Sequence, residues 1–218
     1  RALNTEGFIY MQDEASQLVA HIVAARAGER VLDVCAAPGS KTTHAAMLAG
    51  DGALVVAGDL YEHRLRIVEE LTARQSLQSV RAVLLNAERG LPFADASFDR
   101  VLVDAPCTGT GTLRHNPEIR WRVTPGDIAD LSARQRRILN AGARTLRRGG
   151  RLVYSTCSVE REENEEVVSS FLQTHGDFRQ VRVMPAPEYI LTPDGAARTW
   201  PHRDDVDGFY VAALEKHA

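Results

Sequence analysis

The chain has 218 residues, 44% of them hydrophobic and 25% charged, with a net charge of −3: one ordinary globular domain with its own core and no room for a second of full size. Charges or prolines interrupt every apolar run before 18 residues, which excludes a membrane-spanning helix, and no charged-then-apolar leader of secretory type opens the chain. Three cysteines, Cys35, Cys107 and Cys157, make an odd set with no Cys-x-x-Cys pair, which fits neither a metal site nor a disulfide framework, so reduced thiols in a cytoplasmic protein are the expectation.

The first residue is Arg1 rather than methionine, as in a processed chain or a piece of a longer one. Residues 1–27 read as a lead-in and a helix, because Ala15, Leu18, Val19, Ile22 and Val23 recur at helical spacing between Gln12 and Ala27. Residues 30–37 form a short apolar run that ends at Pro38-Gly39-Ser40 and is followed by good helix formers from Lys41 to Ala49: strand, tight turn, helix. Ala53 to Ala57 repeats the pattern, stopping at Gly58-Asp59 before a helix from Glu62 to Ala73. Val80–Leu85 and Phe98–Val103 are predicted as buried strands ending at Asn86 and Asp104. A long helix is expected from Asp127 to Arg148, with Gly149-Gly150 as its stop signal, and then a strand from Arg151 to Ser155. A helix from Glu160 to Thr174, strands at Arg179–Val183 and Gly208–Leu214, and a surface loop over 184–207 complete the pattern.

Strands alternating with helices of ten or more residues predict a doubly wound α/β domain with a largely parallel sheet covered on both faces. In such sheets ligands bind outside the carboxyl ends of the strands. The polar residues that end these strands, Asp33 and Cys35, Asp59, Asn86, Asp104 and Cys107, Thr156 and Cys157, are therefore predicted to converge on one rim.

Asp59 lies about twenty residues past the glycine-bearing turn, where an acidic side chain can accept both hydroxyls of a ribose; the alternative is a helix N-cap. The turn Ala36-Ala37-Pro38-Gly39-Ser40 has one glycine. That disfavours a dinucleotide cradle and suits a nucleoside without pyrophosphate, such as S-adenosylmethionine. Asp104-Ala-Pro-Cys107 puts a carboxylate and a thiol on one loop, and Cys157 precedes a predicted helix whose N-terminus would stabilise a thiolate. Taken singly, either thiol is also a common buried small apolar residue. Two thiols, a carboxylate and a methyl-donor pocket together suit methylation of cytosine carbon 5. Carbon 5 becomes nucleophilic only after a thiolate has added to carbon 6, and the base must first be unstacked.

Of 26 basic residues only Lys41 and Lys216 are lysine, so Lys41 stands out as a compact ammonium at the rim, predicted within ion-pair reach of Asp104. Between Arg114 and Arg151 ten arginines face Glu118, Asp127 and Asp130 alone. This is either a solvated helix face or a stripe turned toward a polyanion.

Asp33-Val-Cys-Ala-Ala-Pro-Gly-Ser-Lys-Thr-Thr (33–43), Asp59 with Arg64-Leu65, Asp104-Ala-Pro-Cys-Thr-Gly-Thr-Gly (104–111) and Tyr154-Ser-Thr-Cys-Ser (154–158) resemble the motif series of the Sun/Fmu RNA cytosine-5 methyltransferases; Glu162-Glu-Asn-Glu and Asp207-Gly-Phe resemble two further signatures. The resemblance runs from about Gln12 to Leu214. It implies a seven-stranded Rossmann-like methyltransferase domain spanning 1–218. It implies an S-adenosylmethionine site over Cys35, Ala36, Ala37, Pro38, Gly39, Ser40 and Lys41, with Asp59 and Arg64 at the ribose, Asn86 near adenine, and Asp104 beside both cofactor and target base. It makes Cys157 the nucleophile and Cys107 the helper in product release, a choice that spacing alone leaves open. Leu113 to Trp121 is similar to the bacterial branch acting on 16S ribosomal RNA, of RsmB type, which implies RNA contacts from Arg114, His115, Arg120 and Arg122. The family usually has Gly at the position of Ser40 and Asp at that of Asn86. It usually carries an N-terminal RNA-binding portion, which nothing in these residues supplies. No metal is implied, and a monomer is expected. The rival readings are a non-catalytic RNA-binding module that keeps the fold, a small-molecule or protein methyltransferase, and transfer RNA in place of ribosomal RNA as substrate.

Overall fold

The computed structural model describes residue 7 and residues 9–217; the predicted lead-in before residue 7 lies outside them. Helix α1 (Glu14–Val23) is capped by Asp13, whose carboxylate accepts from the Ala15 N–H. Two strand–helix units follow, β1 (Arg30–Asp33) with α2 (Ser40–Leu48) and β2 (Leu54–Asp59) with α3 (Glu62–Arg74), and then β3 (Val80–Leu84) leads to β4 (Phe98–Asp104) without an α-helix between them. A short helix α4 (Ile119–Arg122), the long α5 (Pro125–Thr145), β5 (Leu146–Thr156), α6 (Glu165–Thr174), β6 (Phe178–Val181), β7 (Ala197–Arg198), α7 (Pro201–Asp204) and β8 (Tyr210–Lys216) complete it.

The sheet order is β3-β2-β1-β4-β5-β8-β6, with β1 to β5 parallel, β8 antiparallel between β5 and β6, and β7 paired to β8. The period of two along each strand splits the core into two layers. Val31, Val55, Leu102 and Val153 point to one face and pack with Val19, Ile22, Ala46 and Val68 of α1 to α3. Leu32, Val56, Val101 and Leu152 point to the other, against Leu139, Ala143 and Phe171 of α5 and α6. Because β1 to β5 run the same way, their carboxyl ends share one edge.

Three sequence expectations need correction. The long helix stops at Thr145, not Arg148. Leu146 is fully buried and already pairs with Phe98, and the next ladder pair is Arg100 with Arg151. Gly149-Gly150, with Gly149 at φ +71, therefore forms a bulge inside β5 rather than a helix stop. The helix expected from Glu160 is a single 3-10 turn, Arg161–Glu163, and α6 begins only at Glu165. Asn164 interrupts it at φ −117, ψ −100, with its side chain engaged by Thr156 and by the Ser158 carbonyl. The stretch expected as a surface loop contains β7, whose Ala197 and Arg198 are buried, so the sheet has an eighth, two-residue strand.

Candidate active site

The turn after β1 is drawn tight by the Gly39 N–H donating to the Ala36 carbonyl, while the Ala36 N–H donates to the Gly58 carbonyl at the end of β2. Its left-handed position falls on Gly39 (φ +106), so Ser40, already the first residue of α2, carries a side chain without strain. Asp59 is buried and accepts from the Ala37 N–H (3.2 Å) and the Tyr61 N–H (3.1 Å), with the Arg64 guanidinium 3.4 Å away. Arg64 also donates to the Ala37 carbonyl at 2.8 Å, tying the turn to α3. Asp59 thus braces both the turn and the start of α3. Asn86 has a local task the sequence did not announce: its side-chain oxygen accepts from the Glu88 N–H and caps the 3-10 turn Ala87–Arg89.

From the other side of the rim, β4 delivers Asp104 and β5 delivers Ser155 beside it. The Lys41 ammonium lies 2.8 Å from one Asp104 oxygen, and the Ser155 hydroxyl donates to the other at 2.7 Å. Lys41 also stands 5.0 Å from the centre of the Phe209 ring. Burial opposes the lysine's charge, but the Asp104 charge and hydrogen bond outweigh it and hold its pKa above the ordinary value. Asp33, directly beneath, accepts from the Thr42 hydroxyl at 2.6 Å. Burial pushes its carboxyl up to about 7, the Thr42 bond opposing and the nearby Asp104 charge reinforcing the shift.

The two thiols meet. The Sγ atoms of Cys107 and Cys157 are 3.3 Å apart, both as free cysteines. Their shared hydrogen bond lowers the pKa of Cys157, with burial and Asp104 opposing and Lys41 assisting, and lifts that of Cys107 well above a normal thiol, burial adding to it. Cys35 is different: burial and the charges of Asp33 and Asp104 push its thiol far up, which leaves it inert. The expected helix N-terminus is not what favours the Cys157 thiolate, since α6 starts eight residues later; the neighbouring thiol and Lys41 take that part.

The loops that carry the thiols are held from behind. Glu163 is fully buried; its carboxylate accepts from the Thr108 N–H (3.0 Å), the Thr108 hydroxyl (2.5 Å) and the Gln135 amide (2.8 Å). Gln135 also donates to the Pro106 carbonyl at 2.9 Å. Behind Cys157 two stretches of backbone touch: the Gly111 N–H donates to the Cys157 carbonyl and the Gly208 N–H to the Gly111 carbonyl. A Cβ on Gly111 would sit 1.9 Å from the Gly208 oxygen, so only glycine allows this approach. The Asp13 carboxylate reaches the Asp207 N–H next to it at 3.2 Å. Sequence reasoning marked Glu163 only as part of a signature without a role, and missed Gln135. The available signal was polarity on an apolar stripe, for Gln135 sits among Ser132, Ile138, Leu139 and Gly142 on the buried side of α5.

The residues expected to meet RNA divide. Arg114 pairs with Asp205 at 3.0 Å and His115 with Asp207 at 3.1 Å, while Arg120 and Arg122 lie on α4, where Arg120 stacks over the 83% exposed Trp121. The rest of the arginine stripe is in good part structural. Arg134 and Arg137 pair with Glu88, Arg144 with Asp95, Arg147 with Asp99 and Arg151 with Glu215. A continuous polyanion-facing stripe does not form, because acids from neighbouring elements already face these side chains. Among the described residues no group of three or more His, Cys, Asp or Glu could hold a metal, and no helix is long and apolar enough to cross a membrane.

Residues 20–215 match the family model described as 16S rRNA methyltransferase RsmB/F. The chain is 41% identical over 214 residues to the ribosomal RNA small subunit methyltransferase B of Erwinia tasmaniensis, covering 97% of this chain and 48% of that protein. To the probable ribosomal RNA small subunit methyltransferase B of Bacillus subtilis it is 37% identical over 215 residues, covering 96% and 48%. It thus spans about half the length of these curated relatives. Among solved structures, NSun6 from Pyrococcus horikoshii with SFG superposes with a TM-score of 0.90 at 30% identity, covering all of this chain and 56% of that one. A parallel sheet of Rossmann-like methyltransferase type, with paired thiols at its carboxyl edge, and the match over nearly all its length place this chain in the 16S rRNA methyltransferase RsmB/F family.

Proposed function

We propose that this domain transfers a methyl group from S-adenosylmethionine to carbon 5 of a cytosine in RNA, 16S ribosomal RNA being the substrate, through a covalent bond between Cys157 and the base. The observation that carries the reading is the 3.3 Å contact between Cys157 and Cys107 beside the Lys41–Asp104 pair. The donors present fit the methyl donor's nucleoside: a turn with one glycine, and the buried Asp59 carboxylate as acceptor for two ribose hydroxyls. When bound, S-adenosylmethionine supplies an electrophilic methyl on a sulfonium.

The protein's part is to make carbon 5 nucleophilic and to let the product go. The Cys157 thiolate forms a bond to carbon 6, and the electron pair of the C5–C6 double bond shifts into the ring toward carbon 5. The Asp104 carboxylate, oriented by the Ser155 hydroxyl, relays a proton from the Lys41 ammonium to ring nitrogen 3 during addition and returns it to Lys41 on elimination. Once Cys157 is bound to carbon, its negative charge is gone. That removes the largest of the influences that hold Cys107 protonated, so Cys107 gives up its proton to water more readily when a base is needed. Cys107 then takes the proton from carbon 5, the electron pair of that bond re-forms the double bond, and Cys157 leaves as thiolate. Replacing Cys157 by Ala is expected to abolish methyl incorporation into RNA; normal turnover by that variant would refute the mechanism. Mapping 5-methylcytosine in 16S ribosomal RNA and in transfer RNA from cells with and without the protein decides between the two substrates.

A further inference from the structure

Cys107 sits between two peptide groups that are both pinned by buried side chains. The carbonyl before it, of Pro106, accepts from Gln135, and the N–H after it, of Thr108, donates to Glu163. Every polar contact of the Glu163 carboxylate is a donor aimed at it, from Thr108 twice and from Gln135, as suits an ionised acid, which can only accept. Among the described residues no Lys, Arg or His forms a salt bridge with it, so hydrogen-bond donors alone meet the carboxylate behind Cys107. The Lys41 ammonium, ion-paired to Asp104, is close enough to Cys157 for its charge to favour that thiolate. A positive group near one thiol and a negative group behind the other make a polarised pair.

We propose that Glu163 is the positioning residue that assigns the two thiols their roles: its buried carboxylate fixes Cys107 through the Thr108 N–H and Gln135, and its charge keeps Cys107 the thiol while Cys157 is the thiolate. The inference rests on the reading that Cys157 attacks and Cys107 acts afterwards, and it adds the reason the order is not reversed. The ionisable groups facing Cys107 are Cys157, Glu163 and Tyr154, whose phenol donates to the Glu163 carbonyl at 2.5 Å. Burial and Cys157 raise the Cys107 pKa more than Glu163 does, so the test removes Cys157 first.

In Cys157→Ser protein, without RNA or cofactor, the rate of Cys107 alkylation by iodoacetamide is followed against pH and located by peptide mass spectrometry. The midpoint is expected above that of free cysteine. Adding Glu163→Gln, which keeps an acceptor for Thr108 and loses the charge, is expected to speed alkylation at pH 8 about fivefold. Glu163→Asp, which keeps the charge, is expected to change it less than twofold. Equal rates with and without Glu163→Gln, or an equal rise in both variants, would overturn the proposal. So would a Cys107 midpoint at or below that of free cysteine in Cys157→Ser protein whose urea midpoint matches the unsubstituted chain, a result that does not depend on the 163 variants folding. These outcomes are independent of the proposed methylation chemistry, whose own failure is read from Cys157→Ala turnover.

Discussion

Lys41 approaches Asp104 at 2.8 Å and its charge also reaches Cys157, so one ammonium both fixes the acid and favours the thiolate. Replacing Lys41 by Met is expected to lower single-turnover methylation roughly 10²-fold and to move the rising limb of its pH profile upward. In the unsubstituted protein that limb, the ionisation of Cys157, is expected below the pH at which free cysteine ionises. Cys107→Ala, by contrast, is expected to leave a protein–RNA adduct that survives denaturing electrophoresis, because the carbon 5 proton then has no base. Asp33 yields a stability prediction. Its folded pKa of about 7 lies above its unfolded value of 3.8, so between these pH values the folded state binds the extra proton, and stability falls as pH rises through the window. Asp33→Asn is expected to flatten that fall, measured as urea midpoints from pH 4 to pH 8. The thiols, Lys41, Asp59 and Asp104 were legible in the sequence because each ends or follows a strand of a parallel sheet, where position implies the rim. The task of Glu163, named only as part of a signature, and the significance of Gln135 were not, because both come from an encounter between a 3-10 turn and the middle of a helix 28 residues away.

Element boundaries were legible where local chemistry decides them and obscure where distant pairing does. The capping box at the start of α5, with Thr124 and Asp127 bonded to each other's backbone, sets that end from four neighbouring residues. The other end depends on Leu146 finding Phe98 across the sheet, which outweighs the glycine pair that locally reads as a stop. The break at Asn164 is likewise imposed from outside, by Thr156 and Ser158. At this scale the strictest constraint is the contact of Gly111 with Gly208. Gly111→Ala drives a Cβ to 1.9 Å from a carbonyl oxygen and is expected to destabilise the domain by about 3 kcal/mol, read as a fall in the urea midpoint. Gly28→Ala is the control: its Cβ would meet nothing within 4 Å, although its φ of +83 adds local strain, so a smaller loss is expected.

Over the whole molecule, net charge says little and its distribution says more. The paired arginines of α5 and β5 tie helix and strand ends together, whereas Arg120 and Arg122 beside the exposed Trp121 carry no salt bridge among the described residues. RNA affinity is therefore expected to fall with salt and to weaken when Arg120 and Arg122 are changed together to Ala. Changing Arg144 to Ala is expected to leave affinity within twofold, both being measured by filter binding between 50 and 200 mM salt. The parallel sheet and its two helical layers were legible from alternation alone. The antiparallel place of β8, between β5 and β6, was not, because nothing in the five-residue apolar run Tyr210–Leu214 says which neighbours it will take.

That placement governs when the centre can exist. Polypeptides emerge amino end first, and Gly208, which closes the wall at the back of Cys157, follows that cysteine by about fifty residues. A chain made only as far as Cys157 already holds both sulfurs, the lysine and the acid, yet lacks the segment around Gly208 that backs them. The wall around Cys157 is therefore closed only once the ribosome has passed Gly208.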